Sequence, residues 1–119
     1  MKVKIVFAAL GLLLLASTCL AYDKPTAYIR NCTFHKCGYM KVGQAIDEAF
    51  ERPSWSSGRA SDGQLIVNVE GVVTWEGKRY NVLMQFAPTS KGFNTNGIAF
   101  NGRDMGKDFT GRFITALCK

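Results

Sequence analysis

The chain has 119 residues, and its 15 basic and 9 acidic side chains give a formal net charge of +6 at pH 7. This length suits a single domain with a modest core and excludes a large multidomain protein. The charged residues are scattered, with no run of one sign, so we expect no nucleic-acid partner.

Residues 1–21 have the pattern of a secretory signal peptide: lysines near the start, an apolar run over Ile5–Ala16 and a small-residue end. This pattern predicts cleavage after Ala21 and export to the periplasm or the cell exterior, because the apolar run is too short to span a bilayer comfortably. Two alternatives stay open. In a lipoprotein signal Cys19 would be lipidated and the protein would sit at a membrane, whereas an uncleaved segment would be an anchor helix.

Export implies an oxidising compartment, where cysteines usually form disulfides. The mature chain would hold an odd number of them, Cys32, Cys37 and Cys118. Cys32 with Cys37 would close a short loop, whereas Cys118 with either would tie the C-terminal end to the N-terminal segment. We favour a disulfide of Cys118, since a long loop constrains the unfolded chain more. The remaining thiol is then free or links two copies as a dimer.

Residues 22–38 are predicted to be an extended or turn-like segment that precedes the domain proper, residues 39–119. A helix is predicted over Met40–Glu51, and Pro53 is expected to end it. A short strand around Trp55 and a turn follow. The apolar side chains that recur on one face of this helix are Val42, Ile46, Ala49 and Phe50.

Residues 64–86 form the strongest pattern in the chain, a long β-hairpin with its turn at Glu76-Gly77-Lys78. Gly77 is expected to take the positive φ that a short hairpin loop needs. Apolar side chains alternate along both strands, and this period of two places them on one buried sheet face. They are Leu65, Val67, Val69, Val73, Trp75, Tyr80, Val82, Met84 and Phe86.

The remaining residues predict a loop at Pro88–Gly92, a strand over Phe93–Phe100 and a helix over Asp104–Leu117 with Asp104 as its N-cap. We therefore predict an α+β fold, a four-stranded antiparallel meander with an N-terminal and a C-terminal helix packed on one face. The side chains expected to point inward from the last helix are Met105, Phe109, Phe113, Ala116 and Leu117.

Cys32, His35 and Cys37 are the residues whose chemistry could form a site. Two sulfurs and an imidazole within six residues suit zinc or copper, and Cys118 would add a fourth ligand. The same residues suit a thiol-redox role, because His35 would favour the thiolate of a neighbouring cysteine. Both are alternatives to our main expectation, which is a protein with no enzymatic activity and no cofactor.

Several short runs resemble a small extracytoplasmic bacterial domain found in lipoproteins and exported proteins. These runs are VGQAIDEAF, PSW, SDGQLIVNVEG, GKRYNVLMQF and GFNTNGIAFNG, followed by a final helix. The resemblance begins at about Ile29 and covers nearly all of the mature chain. The resemblance implies a domain in which a helix, an antiparallel meander and a second helix follow in order, and in which no motif is catalytic. A looser similarity of layout links it to envelope-assembly lipoproteins and inhibitor-like domains.

These observations lead us to expect a binding domain whose partner is another protein or a component of the cell envelope. The free face or the edge of the sheet would be the contact surface. Trp55 lies in a serine-rich run and is the candidate anchor, with Arg52 and Arg59 beside it. The alternative is that Trp55 covers the edge of the core. Inhibition of a secreted hydrolase is a further candidate function.

Overall fold

A computed structural model describes residues 22–35, 38 and 40–118. The predicted signal peptide, Cys19 and Cys37 lie outside the described residues. The α+β class with an antiparallel sheet is confirmed, but the described chain has five strands and three helices. The helices are α1 (Lys24–Asn31), α2 (Val42–Ala49) and α3 (Gly106–Leu117), and the strands are β1 (Glu51–Arg59), β2 (Leu65–Trp75), β3 (Lys78–Thr89), β4 (Gly92–Phe100) and β5 (Arg103–Asp104).

The strands lie in the sheet in chain order, and each pairs antiparallel with the next. The predicted hairpin is the centre of this meander, and Val69 pairs with Met84 in it. Trp75 pairs with Lys78, so the turn has two residues, Glu76 and Gly77, and Lys78 belongs to β3. The meander leaves β1 and the short β5 as the two edges of the sheet.

Helix α1 occupies Lys24–Asn31, so the extended or turn-like segment predicted for residues 22–38 was wrong over these eight residues. Asp23 is the N-cap: its carboxylate accepts a hydrogen bond from the backbone N–H of Thr26 at 3.0 Å. Pro25 lies in the first turn, where its missing N–H costs nothing. Thr26 and Ile29 are buried, so the helix is held to the domain by its inner face.

Helix α2 is shorter than predicted because the chain becomes extended at Phe50. Pro53 does not end the helix; it lies within β1, beside a register irregularity between Glu51 and Ser54. An edge strand tolerates proline there because the residue has no ladder hydrogen bond to lose. The predicted short strand around Trp55 is therefore a strand of nine residues.

Helix α3 begins at Gly106 and not at Asp104, which lies in β5. Asp104 still serves the start of the helix, since its carboxylate accepts a hydrogen bond from the Gly106 backbone N–H at 3.0 Å. The predicted inner face is confirmed for Phe113, which is buried, and for Phe109, which is partly buried. Ala116 is exposed, contrary to the prediction.

All three helices pack on one face of the sheet, where Phe86, Val67 and Met84 meet side chains from each helix in one core cluster. The alternating residues of the predicted hairpin form this face. The helices contribute Ile29, Val42, Ala45, Ile46 and Phe113 to this cluster, and the strands contribute Val67, Val69, Val73, Val82, Met84, Phe86, Ile98 and Phe100.

The centre of the opposite sheet face is also buried, although no described helix packs on it. Gln85 is 2 % exposed. Its side-chain Nε2 donates a hydrogen bond to the side-chain Oδ1 of Asn68 at 3.1 Å, and its Oε1 accepts one from the side-chain Nδ2 of Asn96 at 2.9 Å. The sequence predicted this face only as the second side of the hairpin. Its buried residues are Ile66, Asn68, Leu83, Gln85, Ala87 and Ala99.

Candidate functional site

The edge strand β1 carries all three residues that the sequence nominates for binding, Arg52, Trp55 and Arg59. It pairs with β2 on one side, and no described backbone group pairs with its other side. Residues 54–58 are uncharged, and an arginine stands on each side of them. An edge of this kind presents unpaired N–H and C=O groups that another extended chain can use.

Both flanking arginines are exposed, and within the described chain neither forms an ion pair. Arg52 has a φ of 51°, a left-handed conformation that is unusual for a residue with a side chain. The neighbouring Glu51 forms two hydrogen bonds of 3.0 Å to Arg79 of β3. The guanidinium of Arg59 donates to the Gly63 carbonyl at 2.8 Å, which leaves its charge uncompensated.

Trp55 is partly buried and packs against the core, so the alternative position at the core edge describes it better than a fully exposed anchor. Its ring stacks on Phe86 at a centroid distance of 6.4 Å and an interplanar angle of 17°. The Trp55 Nε1 donor is buried, and within the described chain it has no hydrogen-bond partner. A buried N–H without an acceptor destabilises the folded chain, and no described residue supplies an acceptor for the Trp55 indole.

A cation lies beside the Trp55 ring. The Arg30 guanidinium is 5.2 Å from the centroid of Trp55 and 4.5 Å from that of Tyr22. Two hydrogen bonds of 3.1 and 2.9 Å to Asp47 hold it in place, and they raise the pKa of Arg30 although partial burial acts to lower it. No sequence pattern predicts this arrangement, because its members come from three separate segments.

The predicted thiol and imidazole site is described only in part. Cys32 is a partly buried free thiol, and burial raises its pKa. His35 is exposed, and Cys37 lies outside the described residues. Cys118 is not a free thiol. No cluster that could hold a metal ion occurs among the residues that the structure describes.

An aromatic cleft lies at the end of the sheet where the β2–β3 turn meets α3. Its volume is about 520 Å³. The sequence treated its rings as core residues, because strand and helix periodicity already accounted for them. We define the aromatic cleft by Trp75, Glu76, Tyr80, Phe100, Asn101, Arg103, Met105 and Phe109.

Comparison with known proteins identifies no relative: no family model, no curated protein and no solved structure matches the chain. The resemblance to a bacterial extracytoplasmic domain therefore stays a prediction. Among residues 22–35, 38 and 40–118, none of the helices has the length and apolar character that a bilayer crossing requires.

Proposed function

We propose that this protein is an exported binding domain, with no catalytic role, that captures an extended segment of a partner protein by adding it as a strand beside β1. The observation that carries this proposal is the nine-residue edge strand, whose outer backbone edge pairs with no described strand and whose uncharged centre has on each side an arginine without an ion pair to any described residue. In strand addition, main-chain hydrogen bonds supply affinity and flanking side chains supply specificity.

The edge suits this role better than the sheet face on which no described helix packs. The polar side chains at the centre of that face, Asn68 and Gln85, already hydrogen-bond each other. The other edge strand, β5, has only two residues and can form few backbone hydrogen bonds. Strand β1 is the longer edge, and Arg52 and Arg59 lie seven positions apart on it. A partner segment with acidic residues at both ends would match this spacing and the positive net charge of the chain.

A peptide titration of the mature chain, residues 22–119, tests strand addition. The first probe is an eight-residue peptide of alternating threonine and valine with glutamate at each end; the second has lysine at each end. We expect the acidic peptide to shift the amide resonances of β1 and to slow their hydrogen exchange. The acidic peptide with N-methylated backbone amides should not bind, because it lacks the N–H donors that the ladder needs.

Charge reversal separates specific recognition from general attraction. The double variant Arg52→Glu/Arg59→Glu should lose binding to the acidic peptide and gain binding to the basic one. The matched control is Lys78→Glu/Lys91→Glu, which changes the net charge equally at two exposed positions away from β1. Equal loss in both double variants would show that the attraction is nonspecific. Unchanged binding of the N-methylated peptide would rule out backbone pairing.

Export and a disulfide of Cys118 belong to the same proposal. We propose Cys37 as the partner of Cys118, a choice supported by the free thiol of Cys32. The intact mass of the native protein should match a chain that begins at Tyr22, with two hydrogens fewer than the fully reduced chain, and labelling should modify one thiol. A mass that matches a chain beginning at Cys19 with acyl chains attached would make the protein a lipoprotein. Three labelled thiols would exclude the disulfide.

The thiol-redox alternative has less support than binding. A reactive cysteine needs a lowered pKa to form its thiolate, whereas burial raises the pKa of Cys32. Reductase activity that Cys32→Ser abolishes would restore this alternative. Inhibition of a secreted hydrolase remains compatible with strand addition, since an enzyme with an extended acidic segment would be one such partner.

A further inference from the structure

The aromatic cleft is a second site, separate from the β1 edge and independent of the function proposed above. It lies between the β2–β3 turn, the β4–β5 turn and helix α3, whereas β1 is the opposite edge of the sheet. Its volume of about 520 Å³ falls within the usual range for small-molecule sites. Such sites are mostly apolar and aromatic, with a few polar groups at defined positions, and this cleft has the same composition.

The rings form a floor and walls. Phe100 is the floor, since it is only 5 % exposed. Its centroid is 4.8 Å from Tyr80, 5.0 Å from Phe109 and 6.2 Å from Trp75. The Phe109 and Trp75 centroids are 5.3 Å apart with an interplanar angle of 64°. These three wall residues are partly buried, so part of each ring remains available to a further ring in the offset or edge-to-face geometry that aromatic pairs prefer.

The polar groups of the cleft are mainly donors. Within the described chain, neither the Trp75 indole N–H nor the Tyr80 hydroxyl has a hydrogen-bond partner, and neither is buried. Arg103 at the rim is exposed and forms no ion pair with any described residue. Glu76 is the one carboxylate of the lining, and it is exposed in the turn. These three donor groups, of which Arg103 is also a cation, favour a ligand that carries acceptor oxygens.

We propose that the aromatic cleft binds a small planar aromatic molecule that carries a carboxylate. The ring packs against Trp75, Tyr80 and Phe109, and the carboxylate accepts hydrogen bonds from the Arg103 guanidinium. Charge-assisted hydrogen bonds to arginine give this recognition both strength and orientation. The negative charge of Glu76 repels an anionic ligand. Removing this charge must therefore leave the affinity for the carboxylate unchanged or raise it.

The indole N–H resonances of the mature chain, residues 22–119, provide the assay, because the only tryptophans are Trp55 and Trp75. The probe is naphthalene-2-carboxylate, and 2-naphthylmethylamine is the matched cation. The variant Trp55→Phe assigns the two resonances. We expect the carboxylate to shift the Trp75 resonance saturably and to leave that of Trp55 in place, with a Kd of about 1 mM or lower, as the number of ligand atoms allows. The amine should bind more weakly.

Three variants decide the polar part of the proposal. Arg103→Gln should weaken carboxylate binding about tenfold, the typical effect of losing a charged hydrogen bond. Lys91→Gln, at the turn at the other end of the sheet, should leave the affinity unchanged although it removes the same charge. Glu76→Gln should leave it unchanged or raise it.

Several results would overturn the assignment. If the carboxylate shifts both indole resonances equally, or shifts neither, the cleft is not its binding site. Tighter binding of the amine, or a loss of affinity in Glu76→Gln, would show that the cleft recognises a cation. Equal loss in the Arg103 and Lys91 variants would show that only net charge attracts the probe.

Discussion

The β2–β3 turn offers a sharp test of how local backbone conformation contributes to stability. Glu76 has a φ of 51° and Gly77 a φ of 82°, and both are central residues of a two-residue hairpin loop. Positive φ at both positions is the type I′ turn, for which Asn-Gly is the preferred pair. Left-handed backbone costs an ordinary L-residue roughly 1–2 kcal/mol, and asparagine relieves part of this cost. We therefore expect Glu76→Asn to raise the free energy of unfolding by about 0.5–1 kcal/mol.

Thermal unfolding followed by circular dichroism measures this gain. For a domain of this size, 1 kcal/mol corresponds to a Tm change of roughly 4–8 °C. Glu76→Gln is the matched control, because it removes the charge and keeps an unfavourable side chain at the same φ; it should change stability by less than about 0.5 kcal/mol. An equal gain in both variants would refute the conformational reasoning and assign the effect to charge.

The remaining predictions concern packing, pH and thiol reactivity. Gly71→Ala should lower the free energy of unfolding, measured in urea, by about 1–3 kcal/mol, because the added Cβ would lie 3.0 Å from both the Glu51 carbonyl oxygen and the Phe50 ring. An unchanged free energy of unfolding would show that the neighbouring atoms move aside without cost. Partial burial acts to raise the pKa of Asp23, but hydrogen bonds from Ser57, at 2.6 Å, and from Thr26 bring it below its ordinary value. Ser57→Ala should therefore lower the free energy of unfolding by about 0.5 kcal/mol at pH 7. This difference should shrink as the pH falls below about 4, because the Asp23 carboxylate becomes protonated first in the unfolded chain and then in the folded chain. A difference that persists at low pH would exclude the carboxylate as its cause. The raised pKa of Cys32 predicts slower alkylation by iodoacetamide at pH 8 in the folded protein than in urea, and equal rates would contradict it.

The central hairpin and the existence of α2 and α3 follow from the sequence alone. Alternation from Val67 to Trp75 and from Tyr80 to Phe86 is a local property, and it places one set of side chains against the helices whatever else the chain does. The apolar stripe of α2 is equally local. The ends of these helices were less predictable, because they depend on where the next strand begins to pair.

Tertiary structure decided the N-terminal helix and the extent of the edge strand. Helix α1 has eight residues, too few to be stable alone, and it depends on the burial of Thr26 and Ile29 against the sheet. The run around Trp55 lacks an apolar alternation, and it becomes a nine-residue strand because β2 supplies the hydrogen bonds of its ladder.

The two candidate sites show the same division. The sequence identified Arg52, Trp55 and Arg59 by composition, but only the strand order places them on an edge of the described sheet. The aromatic cleft has rings from β2, β3, β4 and α3, and each ring has a strand or helix period that predicts a core position. Periodicity reports which face of an element a side chain occupies. It does not report where the packing of several elements stops and leaves their rings open to solvent, and that boundary is set by the assembled fold.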